Sequence, residues 1–372
     1  MGGAIDISRR RLDGAGQVGQ VAPRHSRSAR RLAPLVAFFL TVATAALAQP
    51  YSSHRGGDVV ELQDARTQTT VSILPSVGNI AFAMKVKGEN ILYWPYSSIE
   101  EFKAHPGMSG IPFLGPWADR LDEQAFFANG RRFAFDMQLG NVRGDMPIHG
   151  FVTTTDRWNV VEAKADSEGA WVTSRLEFYR QPMWLKQWPF AHTIEITHRL
   201  HDGVLEVETA IVNMSAEPMP VAIGFHPYFQ LTDSPRDTWT LSVGARTHWL
   251  LTSNKVPTGE TEPIERFFPT PQAVPLGDYS LDDVFTDLVR DGQGRATIAV
   301  IGKSQRLDIE LGPNYRAVTI WSPKERPFIC VEPTAGIINA LNLAARGLYK
   351  DLQSVAPGGT WRERFWIKAS GF

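Results

Sequence analysis

The chain has 372 residues, 43% hydrophobic and 21% charged, with 38 Lys+Arg against 39 Asp+Glu for a formal net charge of −1. That balance supplies ordinary core material and speaks against an extended basic surface for nucleic acid or an acidic tail. A single cysteine, Cys330, excludes an internal disulfide and any metal site built on several cysteines.

Residues 1–31 carry Arg9, Arg10, Arg11, Arg24, Arg27, Arg30 and Arg31, opposed only by Asp6 and Asp13. The apolar run LAPLVAFFLTVATAALA follows over 32–48 and ends in Ala46-Leu47-Ala48. A basic region, an apolar run and a small-x-small site predict a signal peptide over 1–48, cleaved after Ala48, and an exported protein, periplasmic or secreted. The competing reading of the run is a retained membrane anchor. A short lead, 49–57, then precedes one domain over 58–372.

Strand patterns dominate that domain. HTIEITHRL (192–200) puts Ile194, Ile196, His198 and Leu200 on one face, and VLEVETAIV (204–212) alternates Leu205, Val207, Thr209 and Ile211 with Glu206, Glu208 and Ala210. RLDIELG and AVTIW read the same way. Period-two alternation marks half-buried antiparallel strands. Helical candidates are confined to SSIEEFKA (97–104) and INALNLAARGLYKDL (338–352). The expected fold is all-β, a large sandwich of antiparallel sheets with few short helices. The one place to divide it is TDSPRDT (232–238).

Few residues have a context suited to chemistry. His226 lies in GFHPYF, where Pro227 biases it towards extended geometry and presents it from a strand end. His149, in MPIHGF, is followed by Gly150, which allows close backbone or ligand approach. Glu332 follows the apolar Phe328-Ile329-Cys330-Val331 and precedes a proline. A carboxylate buried there needs a partner or a purpose, and burial raises its pKa towards that of a working general base. Arg120, after GIPFLGPWAD, has a fork of donors suited to hydroxyls, and Trp117 a face suited to a sugar's C–H bonds. Each has an ordinary alternative: a satisfied core histidine, a structural ion pair, a surface arginine, a core tryptophan. No Gly-x-Ser-x-Gly, His-Glu-x-x-His or phosphate-loop motif appears, so no metal or cofactor is expected.

Taken together and in order, GPWADRL, NGRRFAFD, IHGF, GFHPYFQL, WSPKERPFICVEPTAGIINALN and SVAPGGTWRERFWI resemble the aldose 1-epimerase (galactose mutarotase) family over 58–370. The resemblance implies a β-supersandwich and interconversion of the α and β anomers of a free aldose. It implies that Glu332 takes the proton from the anomeric hydroxyl and His226 protonates the ring oxygen. His149 then binds near the ring oxygen and Arg120 binds a hydroxyl. The expected partner is a small-molecule sugar, with no nucleic acid and no membrane after cleavage. The family's asparagine before the arginine is Asp119 here, which puts hydroxyl contacts and substrate preference in question. SLDDVFTDL offers Asp282, Asp283 and Asp287 for the family's sugar-binding aspartate, and Asp283 is the choice made on sequence. A non-catalytic carbohydrate-binding protein on the same fold, or an exported glycan-active enzyme, stands as the alternative. A glycosidase would need two carboxylates flanking the bond, and only Glu332 has a strong context.

Overall fold

The computed structural model describes residues 49–372 and, before them, Gly19 alone. The basic region, the apolar run and the cleavage expected after Ala48 lie outside the described residues. Among the described residues no helix is long and apolar enough to cross a membrane.

The architecture is all-β, built from antiparallel sheets. Tyr51–Gly56, Val59–Asp64, Thr69–Leu74, Ile80–Val86 and Glu89–Asn90 form a five-stranded meander. A nine-stranded sheet runs in the order Trp158–Ala165, Ala170–Leu176, His192–His201, Val204–Asn213, Thr360–Ser370, Arg306–Leu311, Ala296–Ile301, Thr240–Val243, Val274–Pro275.

The hairpin at its heart shows why these residues pair. Asp202 (φ 47°) and Gly203 (φ 73°) are both left-handed, as a two-residue turn matched to strand twist requires. That turn sets Ile194 opposite Ile211 and Leu200 opposite Leu205. All four are buried, as the alternation predicts. Each such side chain contributes about 1.5–3 kcal/mol by leaving water.

The sheet that carries the site has eight strands. Along its path lie Pro257–Pro263, Thr247–Leu251, Leu281–Thr286, Ala317–Ser322, Ile329–Thr334, Gly224–Phe225 and Phe113–Leu114, with Tyr228–Phe229 also paired to Ile329–Thr334. Four short α-helices occur among the described residues, Ile99–Ala104, Pro182–Gln187, Ile264–Phe267 and Ala340–Ala345. The first ends where the sequence places it and starts two residues later, at Ile99, capped by Ser98, whose side chain accepts from the Glu101 N–H. The helix expected over 338–352 is shorter. It ends at Ala345 because Gly347 turns left-handed (φ 74°) and its N–H closes on the Ala344 carbonyl.

The segment 232–238 is no linker. Arg236 is buried there, donating to the Ser322 hydroxyl and carbonyl and to the Leu276 and Tyr279 carbonyls. Those bonds tie the segment to the end of the Ala317–Ser322 strand.

Candidate active site

Strand register assembles one face of the eight-stranded sheet into a polar wall. Directly opposite residues on antiparallel strands point to the same side. Asp282 pairs with Trp321, Trp321 with Cys330, and Cys330 with Tyr228. One step along, Thr319 pairs with Glu332. Asp282, Trp321, Tyr228 and Glu332 therefore share a face. They line a cavity of ≈ 120 Å³ together with Asp119, Arg120, Arg143, Ile148, His149 and His226.

At the centre His226 Nε2 lies 3.2 Å from Glu332 Oε1. Both residues are buried, at 6% and 1% exposure. The His226 backbone N–H is anchored on the Pro112 carbonyl, and its ring stacks on Tyr228 at 4.8 Å, 13° from parallel, with Trp321 edge-on. The ring is thus held in one orientation. His226 Nδ1 and Glu332 Oε2 have no hydrogen-bond partner among the described residues. Unpartnered buried polar atoms are unusual enough to require a reason. Burial pushes the His226 pKa down to about 3, and burial, reinforced by Asp119 and Asp282 and opposed by Arg120, pushes Glu332 well above the usual carboxylate range.

His149 stands 5.3 Å from His226, ring to ring and edge-on. Its backbone N–H donates to the Asp119 carbonyl at 3.0 Å, and its Nδ1 accepts from the Asp119 N–H at 3.1 Å. An accepting Nδ1 leaves the proton of the neutral ring on Nε2. Burial, then His226, Arg120 and Arg143, hold its pKa well below the ordinary value, so the ring stays neutral. Asp119 and His149 both have φ 57°, a left-handed conformation stored at the cavity. Gly150 is the close-approach position that the sequence suggests: a Cβ there would meet the Gly115 carbonyl oxygen at 1.9 Å.

Arg120 makes a two-pronged contact with Asp282, Nη2 to Oδ2 at 2.9 Å and Nη1 to Oδ1 at 3.3 Å. Planar forks of this kind fix a guanidinium in place. Asp119 is buried, with Oδ2 accepting from the Thr319 hydroxyl at 3.1 Å. Burial raises its pKa to about 6, with Arg120 opposing and Asp282 adding.

The structure thus gathers His226, Glu332, His149, Arg120 and Asp119 around one cavity, and leaves two sequence choices outside it. Asp283 is not a lining residue; Asp282 is. Neighbours in a strand face opposite sides, and Asp283 turns away to the far face, where its Oδ1 meets His248 Nε2 at 3.3 Å. Trp117 is 2% exposed and packs on Phe135, Phe151 and Trp188, behind the cavity wall in the aromatic core. Sequence reasoning missed Tyr228, Trp321, Arg143 and Ile148. Tyr228 lies inside GFHPYF, and Trp321 ends the AVTIW alternation on the face of Thr319, so both carried a signal. Arg143, on a two-residue strand, carried none.

Comparison with known proteins agrees with this architecture. The family model for aldose 1-epimerase matches residues 58–368. The fold is similar to a galactose mutarotase-like protein from Clostridium acetobutylicum, with TM-score 0.75 and 22% identity, covering 87% of this chain and 98% of that one. It is also similar to an aldose epimerase homologue from C. elegans (TM-score 0.68, 16% identity, 86% and 99% covered). A galactose 1-epimerase from Lactobacillus acidophilus NCFM is a third (TM-score 0.66, 16% identity, 86% and 98% covered). At these identities the likeness establishes the fold, and the family model spans most of the sequence: this chain belongs to the aldose 1-epimerase family.

Proposed function

We propose that the cavity is the active site of a mutarotase that interconverts the anomers of a free aldose by acid–base ring opening. The observation that carries the reading is the buried His226–Glu332 contact at 3.2 Å, with an unpartnered atom on each residue. Ring opening needs one proton removed and one delivered at two oxygens bound to the same carbon. An imidazole and a carboxylate this close match that demand.

In the reaction Glu332 accepts the proton of the anomeric O1 hydroxyl. The C1–ring-oxygen bond breaks, its electron pair stays on the ring oxygen, and His226 delivers a proton there. C1 and O1 become the aldehyde. Rotation about C1–C2 presents the other face of the carbonyl. The ring hydroxyl then attacks C1, returning its proton to His226, while Glu332 returns its proton to O1. No proton is gained or lost over the cycle. Burial of both groups favours the uncharged pair, in which Glu332 holds the shared proton. The ion-paired form that starts the reaction has the same total charge, so it is reached by moving one proton between them. Positioned proton transfer of this kind contributes ~10²–10⁴-fold.

His149, with its proton on Nε2, donates to the sugar near the ring oxygen. Arg120 donates to a hydroxyl, steadied by Asp282, and Tyr228 and Trp321 supply apolar walls for the C–H faces. With the signal peptide expected over 1–48, the enzyme would meet free sugars outside the cytoplasm.

Polarimetry on freshly dissolved α-galactose and α-glucose tests this, with the protein and with Glu332→Gln. Faster approach to anomeric equilibrium, lost in the variant, is the expected result. Acceleration that survives the substitution removes Glu332 as the base. Sugar binding without acceleration on a panel of aldoses assigns the chain to the carbohydrate-binding reading instead.

A further inference from the structure

The far face of the Leu281–Thr286 strand holds a hydrogen-bonded array that the proposed reaction does not use. Glu262 lies directly opposite His248 in register, and Asp283 lies diagonally from it. His248 Nδ1 is 3.0 Å from Glu262 Oε1, and its Nε2 is 3.3 Å from Asp283 Oδ1. The ring is 4% exposed and stacks on Phe267 at 4.0 Å. Each ring nitrogen thus faces one carboxylate oxygen within hydrogen-bond distance. The other oxygen of Asp283, Oδ2, accepts the backbone N–H of Asp282 at 3.0 Å. Burial opposes the Asp283 charge, but the bonds from His248 and the Asp282 N–H outweigh it and lower its pKa. Asp282 is the residue that holds Arg120 in its two-pronged contact at the cavity. An unbroken chain of bonds therefore leads from Glu262 through the strand to the guanidinium.

We propose that His248 and Asp283 are positioning residues for Arg120: they lock the Asp282 backbone from behind, so that its carboxylate aims the guanidinium at the sugar. The proposal rests on the reading of the cavity as a sugar site. Neither residue touches the cavity, so neither is catalytic. Their effect is on how firmly a hydroxyl-binding donor is held.

Three substitutions of His248 test this, chosen by reach. Glutamine places a donor where Nε2 stood and keeps the bond to Asp283. Asparagine places one where Nδ1 stood and keeps only Glu262. Phenylalanine keeps the stacking and neither bond. KM and kcat for mutarotation, sugar affinity by calorimetry, and thermal stability are measured for each. His248→Phe and His248→Asn are expected to weaken binding and raise KM about tenfold, the scale of one loosened charged hydrogen bond, with a much smaller change in kcat. His248→Gln is expected to restore both. Three variants alike in KM, or a loss of stability with KM unmoved, overturns the proposal and leaves the array as packing. If the unsubstituted protein binds no aldose, the reading of the cavity fails on its own. The positioning is then decided by crystal structures of His248→Phe and His248→Gln. Loss of the Arg120–Asp282 contact in the first alone supports it, and its persistence in both overturns it.

Discussion

Among the described residues burial lowers the pKa of four histidines, two in the nine-stranded sheet and two at the cavity. His192 and His198 sit in the nine-stranded sheet, His149 and His226 at the cavity. Burial depresses the first two to about 4, with the Phe190 carbonyl partly offsetting it for His192, and it depresses His226 to about 3 and His149 well below the ordinary value. His198 even shares with His226 an imidazole nitrogen lacking any partner. What separates the pairs is what each ring faces. His198 projects into an aliphatic core beside Ile196 and Leu200. His226 faces a carboxylate and an open cavity. A shifted pKa therefore marks burial, and a shifted pKa beside a second titratable group in a cavity marks a site.

The strongest way to break this comparison is to remove one ring from each pair. His226→Gln is expected to lose ~10²–10⁴-fold in kcat for mutarotation, the range of a lost acid–base group, while His198→Leu leaves kcat unchanged. Polarimetry under saturating sugar reads both, and equal losses would end the distinction.

A second test uses stability. The folded state holds the Glu332 proton more tightly than the unfolded chain, where the carboxyl titrates near about 4.3. In the window above that value the folded protein binds more protons, so stability falls as pH rises through it. Glu332→Gln removes that cost and is expected to stabilise at pH 8, on the order of 2 kcal/mol, with the gain vanishing towards pH 4. Chemical denaturation at the two pH values measures it.

His149→Phe sharpens the comparison inside the cavity. It removes the Nε2 donor while keeping an aromatic ring, and sugar affinity is expected to fall about tenfold, with a stability loss of about 1–3 kcal/mol from the Asp119 N–H that Nδ1 no longer accepts. Calorimetry with the unsubstituted protein as reference decides it.

The smallest effect belongs to the sheet histidines. With His198 depressed to about 4 in the fold against about 6.5 when unfolded, the unfolded chain binds the extra proton in between, and stability is lost as pH falls through that window. His198→Leu is expected to gain about 1 kcal/mol near neutral pH by removing unpartnered nitrogens, and more as the pH approaches 4. A melting-temperature difference that does not widen with acid would contradict the assignment.

Much of this was legible in the chain because strands write their burial in period two. HTIEITHRL and VLEVETAIV fall on the faces their alternation predicts, and His226, His149, Glu332, Arg120 and Asp119 come from segments whose local chemistry already set them apart. The misses share a cause. Choosing between Asp282 and Asp283 requires the register of Leu281–Thr286 against Ala317–Ser322, which no local pattern supplies. Trp117 was suited to a sugar by residue type, yet its ring points into the aromatic cluster around Phe135 and Trp188. Whether an aromatic side chain meets ligand or core is a tertiary fact. Arg143 reaches the cavity from a short hairpin with neither motif nor periodicity to announce it.

The paired aspartates have one more consequence. A one-residue slip of this strand in either direction would keep a carboxylate at only one of the two places: Asp283 would face Arg120 with Val284 towards His248, or Asp282 would face His248 with Leu281 towards Arg120. Either polar partner alone would tolerate a slip, but the two together do not. Val284 and Phe285 add to the same selection, unlike in size and on opposite sides, the latter stacked against Phe268 at 5.5 Å. Only the present register gives both Arg120 and His248 an aspartate.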